Sequence, residues 1–215
     1  MSSEQLGPYT LSWPQGVFPL GGDTLALGDF ATIKPGQRVC DLGTGSGALL
    51  LLLARRSEGL SLTGVELDPL SAQTARENLA FNRLPGEIVT GDLRTAPLSA
   101  GGFDLVITNP PYFPMGGGKS GGPARSEIAC SLEELCAAAG RLAKNGGRFA
   151  LCHRPERLAD VICALRAHGL EPKRLKLVSH APGYQPSLLL VEAVRQGRPG
   201  LKIEMAPSPG RHSFS

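Results

Sequence analysis

The chain has no long hydrophobic run. Its longest, residues 48–54, falls far short of the roughly 20 apolar residues that a membrane-spanning helix needs. Residues 1–10 are polar, with no positively charged start leading into an apolar stretch, so no secretory leader is expected. Cysteine is sparse: Cys40, Cys130, Cys136, Cys152 and Cys163 form an odd set with no C-x-x-C pair. That pattern argues against a disulfide framework and against a zinc site, and it suits a reducing cytoplasm. No metal is expected, and no internal repeat is evident.

What is present suits one domain with short appendages. The chain has 215 residues, 41% of them hydrophobic, enough for a sizeable core and too many for a disordered polymer. The net charge of +3 is unevenly spread. Residues 1–140 hold 9 Lys+Arg against 14 Asp+Glu, and residues 141–215 hold 13 against 5, so the last third carries a net +8. Such an excess reads either as the footprint of a phosphate-rich partner or as a basic solvated surface.

Hydrophobic pattern and breakers alternate strands with helices. Strands are expected at 38–42, 60–66, 87–90, 103–108, 147–152, 175–179 and 187–194. Helices are expected at 48–56, from Pro69 to about residue 82, from Ser131 to about residue 142, and at 155–168. Ser131-Leu-Glu-Glu134 has the form of a capping box, and Pro69 that of a first helical residue. This alternation predicts an α/β fold with a mainly parallel sheet of seven strands and helices on both faces. Residues 38–195 form that domain, residues 1–37 precede it as a segment packing near the ligand edge, and 196–215 follow as a tail. Residues 112–130 fall outside the pattern. Their run Met115-Gly-Gly-Gly-Lys-Ser-Gly-Gly-Pro123 offers little to pack and is expected to be mobile or ordered by a ligand.

In such sheets a ligand sits at the C-terminal strand ends. Asp41-Leu-Gly-Thr-Gly-Ser-Gly47 closes the first strand and enters the first helix. Gly43, Gly45 and Gly47 let the backbone approach a ligand, but their spacing is not the G-x-G-x-x-G of a dinucleotide site. Asp41 suits a cation such as the amino group of a methionine moiety. Glu66, ending the second strand beside Leu67, can accept both hydroxyls of a ribose. Asp92, after the third strand and beside Leu93, can accept an adenine amino group, or it is simply a turn residue. Three acids at three successive strand ends point to S-adenosylmethionine.

Asn109-Pro-Pro-Tyr112 follows the fourth strand and faces the same edge. An amine conjugated to a ring or carbonyl is a poor nucleophile because its lone pair is delocalised. The Asn109 side-chain oxygen and the Pro110 carbonyl can hold its two N–H groups and favour a pyramidal nitrogen aimed at the methyl group. Pro110 and Pro111 stiffen the backbone, and Tyr112 offers a face for stacking on a flat substrate. As part of the cofactor edge, Asn109 is also a candidate cofactor contact. The bland reading of the same four residues is a strand-ending turn.

Together these motifs resemble the amino-methyltransferases of adenine and glutamine, and the chain resembles in particular the bacterial adenine-N6 methyltransferases that act beside the anticodon of a valine tRNA. The matching stretches are Gly16-Val-Phe18, Asp23-Thr-Leu-Ala-Leu27, Asn109-Pro-Pro-Tyr-Phe-Pro114, Ala124-Arg-Ser-Glu-Ile128, Leu151-Cys-His-Arg-Pro-Glu-Arg157 and Leu170-Glu-Pro-Lys-Arg174. The resemblance implies a Rossmann-like class I methyltransferase fold whose last strand is antiparallel. It also implies S-adenosylmethionine as cofactor and tRNA as partner. It places Arg125 and Glu127 in a loop flanking the substrate, and Phe18 and Asp23 in a segment covering the cofactor. The plainer alternatives are a surface salt bridge for the first pair and, for Asp23, a helix N-cap. Arg154, Arg157, Lys173, Arg174 and Lys176 are candidates to track phosphates. His153 reads as a packed or capping residue rather than a catalyst. Residues 206–215 depart from the family's usual finish.

Two other functions share these residues. A protein glutamine methyltransferase uses the same four-residue motif, but such enzymes carry a sizeable helical recognition domain, and only 37 residues precede the first expected strand here. A non-catalytic cofactor-binding or RNA-binding subunit would have no chemical need for Asn109-Pro-Pro-Tyr112.

Overall fold

Strands with apolar residues on both faces must be covered on both sides, and the central strands here divide their side chains between two cores. The computed structural model describes residues 1–110, 130–179, 181 and 184–204. Within these, the main sheet contains β3 (Arg38–Leu42), β4 (Ser61–Glu66), β5 (Gly86–Thr90), β6 (Phe103–Thr108), β7 (Ala143–His153), β8 (Leu170–Val178), β9 (Leu188–Arg195) and β10 (Lys202–Glu204). Val39, Leu105, Ile107, Ala150 and Cys152 enter one core, under α1 (Gly22–Phe30), α2 (Ala48–Arg56) and α3 (Pro69–Phe81). Cys40, Val106, Phe149 and Leu151 enter the other, under α4 (Leu132–Leu142) and α5 (Leu158–Ala167). Leu49 to Leu53 of α2 are all buried, because that helix lies between the sheet on one side and α1 with an N-terminal hairpin on the other. Each such leucine contributes about 1.5–3 kcal/mol of burial.

The strand order is β10-β8-β9-β7-β6-β3-β4-β5. β9 runs antiparallel to both β7 and β8, and the remaining pairs are parallel. The seven expected strands are all found, with β9 the antiparallel one. The sheet nevertheless has eight strands, because residues 202–204 of the tail pair with β8. That strand is three residues long with largely exposed side chains, so it has no apolar pattern to reveal it. β8 begins at Leu170 rather than 175. It contains Pro172, which cannot donate to the ladder, and the register shifts between Pro172 and Arg174 to accommodate it. Residues 155–168 begin as a 3-10 turn over Pro155–Arg157 before α5 starts.

Local signals at helix starts act as expected. The Asp68 side chain accepts the Ser71 N–H at 2.8 Å ahead of Pro69, and Ser131 and Glu134 bond reciprocally as a capping box. α1 differs: its N-cap is Gly21, and Asp23 lies inside the first turn rather than capping it.

Residues 1–37, which show no strand pattern, contain a hairpin of β1 (Ser2–Leu6) and β2 (Tyr9–Trp13) as well as α1. The free edge of β2 is satisfied by two asparagines one helical turn apart, Asn78 on α3 and Asn82 at its C-cap. The Asn82 carboxamide exchanges two hydrogen bonds with the Thr10 backbone, and the Asn78 carboxamide exchanges two with that of Ser12. Each side chain thereby stands in for a neighbouring strand's peptide group.

β9 carries a fully buried carboxylate, Glu192. It accepts the Thr32 N–H at 2.7 Å and the Thr32 hydroxyl at 2.9 Å, and it pairs with Arg148 at 2.7 Å and Arg174 at 3.3 Å. Arg174 also bonds Glu204 of β10 and lies 4.4 Å from the Phe30 ring centroid. One buried acid thus ties the end of α1 and the sheet edge together.

Candidate active site

The strand order reverses between β3 and β6, and a ligand crevice opens at that switch point beyond the strand ends. The glycine loop leaves β3 there. Gly43, Gly45 and Gly47 all have positive φ (73°, 56° and 83°), a region that side chains avoid. Added Cβ atoms on Gly43 and Gly45 would meet nothing within 4 Å, so open space adjoins the loop. Gly47 instead packs against Ala75 of α3, where a Cβ would lie 3.4 Å from that methyl. Asn78 donates to the Ser46 carbonyl at 2.9 Å and so links the loop to α3 and the hairpin.

Asp41 is buried beneath this loop. Its Oδ2 accepts the Thr44 hydroxyl at 2.7 Å, whereas Oδ1 has no hydrogen-bond partner among the described residues. Burial pushes its carboxyl up to about 7; the Thr44 bond opposes that shift, and the nearby Glu66 charge adds to it. Glu66, at the end of β4, accepts the Gly45 N–H at 2.8 Å and the Asp68 N–H at 2.9 Å, leaving lone pairs on both oxygens. Leu67 beside it is exposed. These features fit S-adenosylmethionine: an orphaned buried acid suits the methionine ammonium, a half-used carboxylate suits the ribose, and a side-chain-free loop suits close approach.

The third acid is differently engaged. Asp92, with Leu93 half-buried beside it, accepts both the backbone N–H and the guanidinium of Arg94, which also reaches Glu134. The Arg94 hydrogen bonds hold the Asp92 carboxyl below the usual range. An adenine amino group on Asp92 therefore requires the Arg94 guanidinium to yield a lone pair.

Asn109 follows β6 on the opposite side of the switch point. Thr108 anchors the strand end by donating to the Leu42 carbonyl at 2.7 Å. The Asn109 Nδ2 donates to Thr24 Oγ1 of α1 at 2.8 Å, and its Oδ1 accepts from the Cys152 thiol at 3.0 Å. Neither partner stood out in the sequence, since nothing local marks a threonine or a cysteine as a neighbour of a distant asparagine. Pro110 is half-buried beside it. Pro111, Tyr112, Arg125 and Glu127, with the glycine-rich run 115–123, lie outside the described residues, as do residues 205–215.

The basic candidates separate. Arg154 is exposed just past β7, on the site's edge of the sheet, and no hydrogen bond or ion pair engages its side chain among the described residues. His153 beside it accepts the Arg154 N–H at 2.8 Å, and burial, then the Arg157 charge, holds its imidazole below the ordinary value. Arg157 pairs with Asp160, and Lys173 donates to the Arg198 carbonyl at 3.0 Å. Arg174 is committed to Glu192 and Glu204. Arg174 and Lys176 also line a cavity of about 250 Å³ between α1 and β8, which shares no residue with the glycine loop. No helix among the described residues is long and apolar enough to cross a membrane.

Known proteins share this architecture. The family model of the methyltransferase small domain matches residues 21–160. The tRNA1(Val) (adenine(37)-N6)-methyltransferase of Porphyromonas gingivalis is 32% identical over 186 residues, 80% of this chain and 73% of that protein. The enzyme of the same name from Citrobacter koseri is 42% identical over 101 residues, covering 45% of this chain and 41% of its own. Among solved structures, a predicted O-methyltransferase from Agrobacterium tumefaciens matches with a TM-score of 0.70 and 25% identity, over 90% of this chain and 91% of that one. A TehB-like SAM-dependent methyltransferase from Corynebacterium glutamicum shares the fold, with a TM-score of 0.56 and 20% identity over 80% of this chain and 87% of its own. With a family model spanning more than half its length and a relative at 32% identity across most of both chains, this protein belongs to the methyltransferase small-domain family, S-adenosylmethionine-dependent enzymes, together with the tRNA1(Val) (adenine(37)-N6)-methyltransferases.

Proposed function

We propose that this protein transfers a methyl group to the exocyclic N6 amine of an adenine in tRNA, next to the anticodon of a valine tRNA. The observation that carries this reading is the Asn109 carboxamide, held at the switch point across from a buried, half-satisfied Asp41. The names of the relatives support the nucleotide.

S-adenosylmethionine, when bound, supplies an electrophilic methyl group. Asp41 and the glycine loop would hold its methionine end, Glu66 its ribose and Asp92 its adenine. The chain's own task at the reacting end is orientation. Asn109 Oδ1 and the Pro110 carbonyl accept the two N–H groups of the target amine and turn its lone pair toward the methyl group. Stacking of the extruded base on Tyr112 would hold the ring, with Arg125 beside it. No general base is needed before attack, because the nitrogen becomes acidic only after it is methylated. Phosphates of the tRNA would meet Arg154 and Arg157 on the same edge, with Lys173 and Lys176 farther along β8 and Arg174 kept to its structural pairs. On this reading the protein works in the cytoplasm.

The test is methyl transfer to bulk tRNA lacking modifications, with the labelled nucleoside mapped. N6-methyladenosine at the nucleotide following the anticodon is expected, and Asn109→Ala should abolish it while cofactor affinity stays nearly intact. Unlabelled tRNA together with a release-factor peptide methylated at glutamine would transfer the assignment to protein.

A further inference from the structure

Under the proposed mechanism Asn109 must present its carbonyl oxygen, not its amino group, to the substrate amine. The two ends of a carboxamide have nearly the same shape, so packing alone does not choose between them; hydrogen-bond partners do. We infer that Thr24 and Cys152, neither of which belongs to the Asn109-Pro-Pro-Tyr112 motif, are positioning residues that set this choice. The inference rests on the adenine-methylation reading only for its activity readout.

The geometry is two-sided. Thr24 Oγ1 accepts from Nδ2 at 2.8 Å, and the Cys152 thiol donates to Oδ1 at 3.0 Å. A hydroxyl can donate or accept, so Thr24 alone would tolerate either orientation. The thiol discriminates. Its S–H can donate to an oxygen, whereas a reversed carboxamide would place an N–H₂ group against sulfur, a weak acceptor, at only 3.0 Å. A carbonyl oxygen has two lone pairs, and one bond from Cys152 leaves the other for the incoming amine.

Both partners are rigidly placed. Cys152 is fully buried on β7, whose neighbouring residue Leu151 pairs with Thr108, the last residue before Asn109. Thr24 rides on α1, and the segment just past that helix is fastened by the Thr32 bonds to buried Glu192. A weak donor in a fixed position is enough to bias a group that has only two states.

The test pairs a disruptive with a conservative change at each position: Thr24→Val and Thr24→Ser, Cys152→Ala and Cys152→Ser. Thr24→Val and Cys152→Ala should each lower the single-turnover rate about tenfold, the loss of roughly one hydrogen bond, while cofactor affinity changes less than about twofold. Thr24→Ser should keep most of the rate, whereas Cys152→Ser, whose hydroxyl still donates to Oδ1 but no longer excludes the reversed carboxamide, should fall between the wild type and Cys152→Ala. A second readout needs no substrate. The Asn109 side-chain amide protons, followed by ¹⁵N NMR, should be slow to exchange in the wild type and fast in Thr24→Val.

Wild-type rates in both disruptive variants would overturn the inference, as would serine variants as impaired as those two. If the wild type left tRNA unmethylated, the substrate reading would fail, and the exchange rate of the Asn109 amide protons would still decide the positioning. Thr24 is only half-buried, so its valine variant tests the idea even if Cys152→Ala does not fold.

Discussion

The Glu66 carboxylate accepts the backbone N–H of Gly45 at 2.8 Å, across 21 positions of chain. The end of β4 and the glycine loop are therefore one unit, and any ligand held by Glu66 is held by the loop as well. Glu66→Ala should weaken S-adenosylmethionine binding by about 1.5–3 kcal/mol, the range for bonds to charged groups. Calorimetry measures it directly. An unchanged affinity would remove Glu66 from the cofactor site, and binding of a nicotinamide dinucleotide but of neither S-adenosylmethionine nor its demethylated product by the wild type would overturn the cofactor assignment.

Asp41 gives the second prediction, in pH. Its carboxyl is raised from the ordinary 3.8 to about 7 by burial, and only the charged form suits an ammonium group. Cofactor affinity should rise as pH passes upward through about 7, with a proton released on binding below it. Without ligand the sign of the stability effect is opposite. The folded protein holds this proton over a range where the unfolded chain has lost it, so the contribution is full below about 4 and is lost as pH climbs toward about 7. Melting curves of the wild type and Asp41→Asn across that window check it, since the asparagine cannot titrate.

Charge reversal should separate the basic residues. Arg174→Glu breaks its pair with buried Glu192, and should cost about 3 kcal/mol, the lower end for such a loss because Arg148 stays on the same carboxylate. Arg154→Glu should leave the melting temperature unchanged, weaken tRNA binding and reduce the salt slope by about one. Equal effects of the two substitutions on melting would contradict this division.

Asn78 gives the fourth. Asn78→Ala strands the Ser12 backbone groups and the Ser46 carbonyl, and should destabilise the fold by about 1–3 kcal/mol in urea titrations. Cofactor affinity should fall with it, because the glycine loop loses its tie to α3. Loss of stability with undiminished affinity would leave Asn78 a purely structural residue.

Much of the site was legible because its signals are local. The glycine loop, the acids at strand ends and the Asn109 motif each sit at a boundary that hydrophobic pattern alone can locate. The capping box at Ser131 is likewise complete within four residues. The hairpin of β1 and β2 was not legible. Its edge is satisfied by Asn78 and Asn82, 66 and 72 positions away, and no strand pattern is needed when side chains serve as the neighbouring strand.

Sequence by itself determined where the chemistry lies, because β-α alternation forces parallel strands and brings their C-terminal ends to one edge. Only the tertiary structure decided what each charge and polar group does there. Arg154 and Arg174 look alike in a count of basic residues, yet one is exposed and the other is locked onto a buried acid. Thr24 and Cys152 meet Asn109 from α1 and β7, 85 and 43 positions away. Such contacts follow from how layers pack, and a pattern of neighbours along the chain carries no record of them.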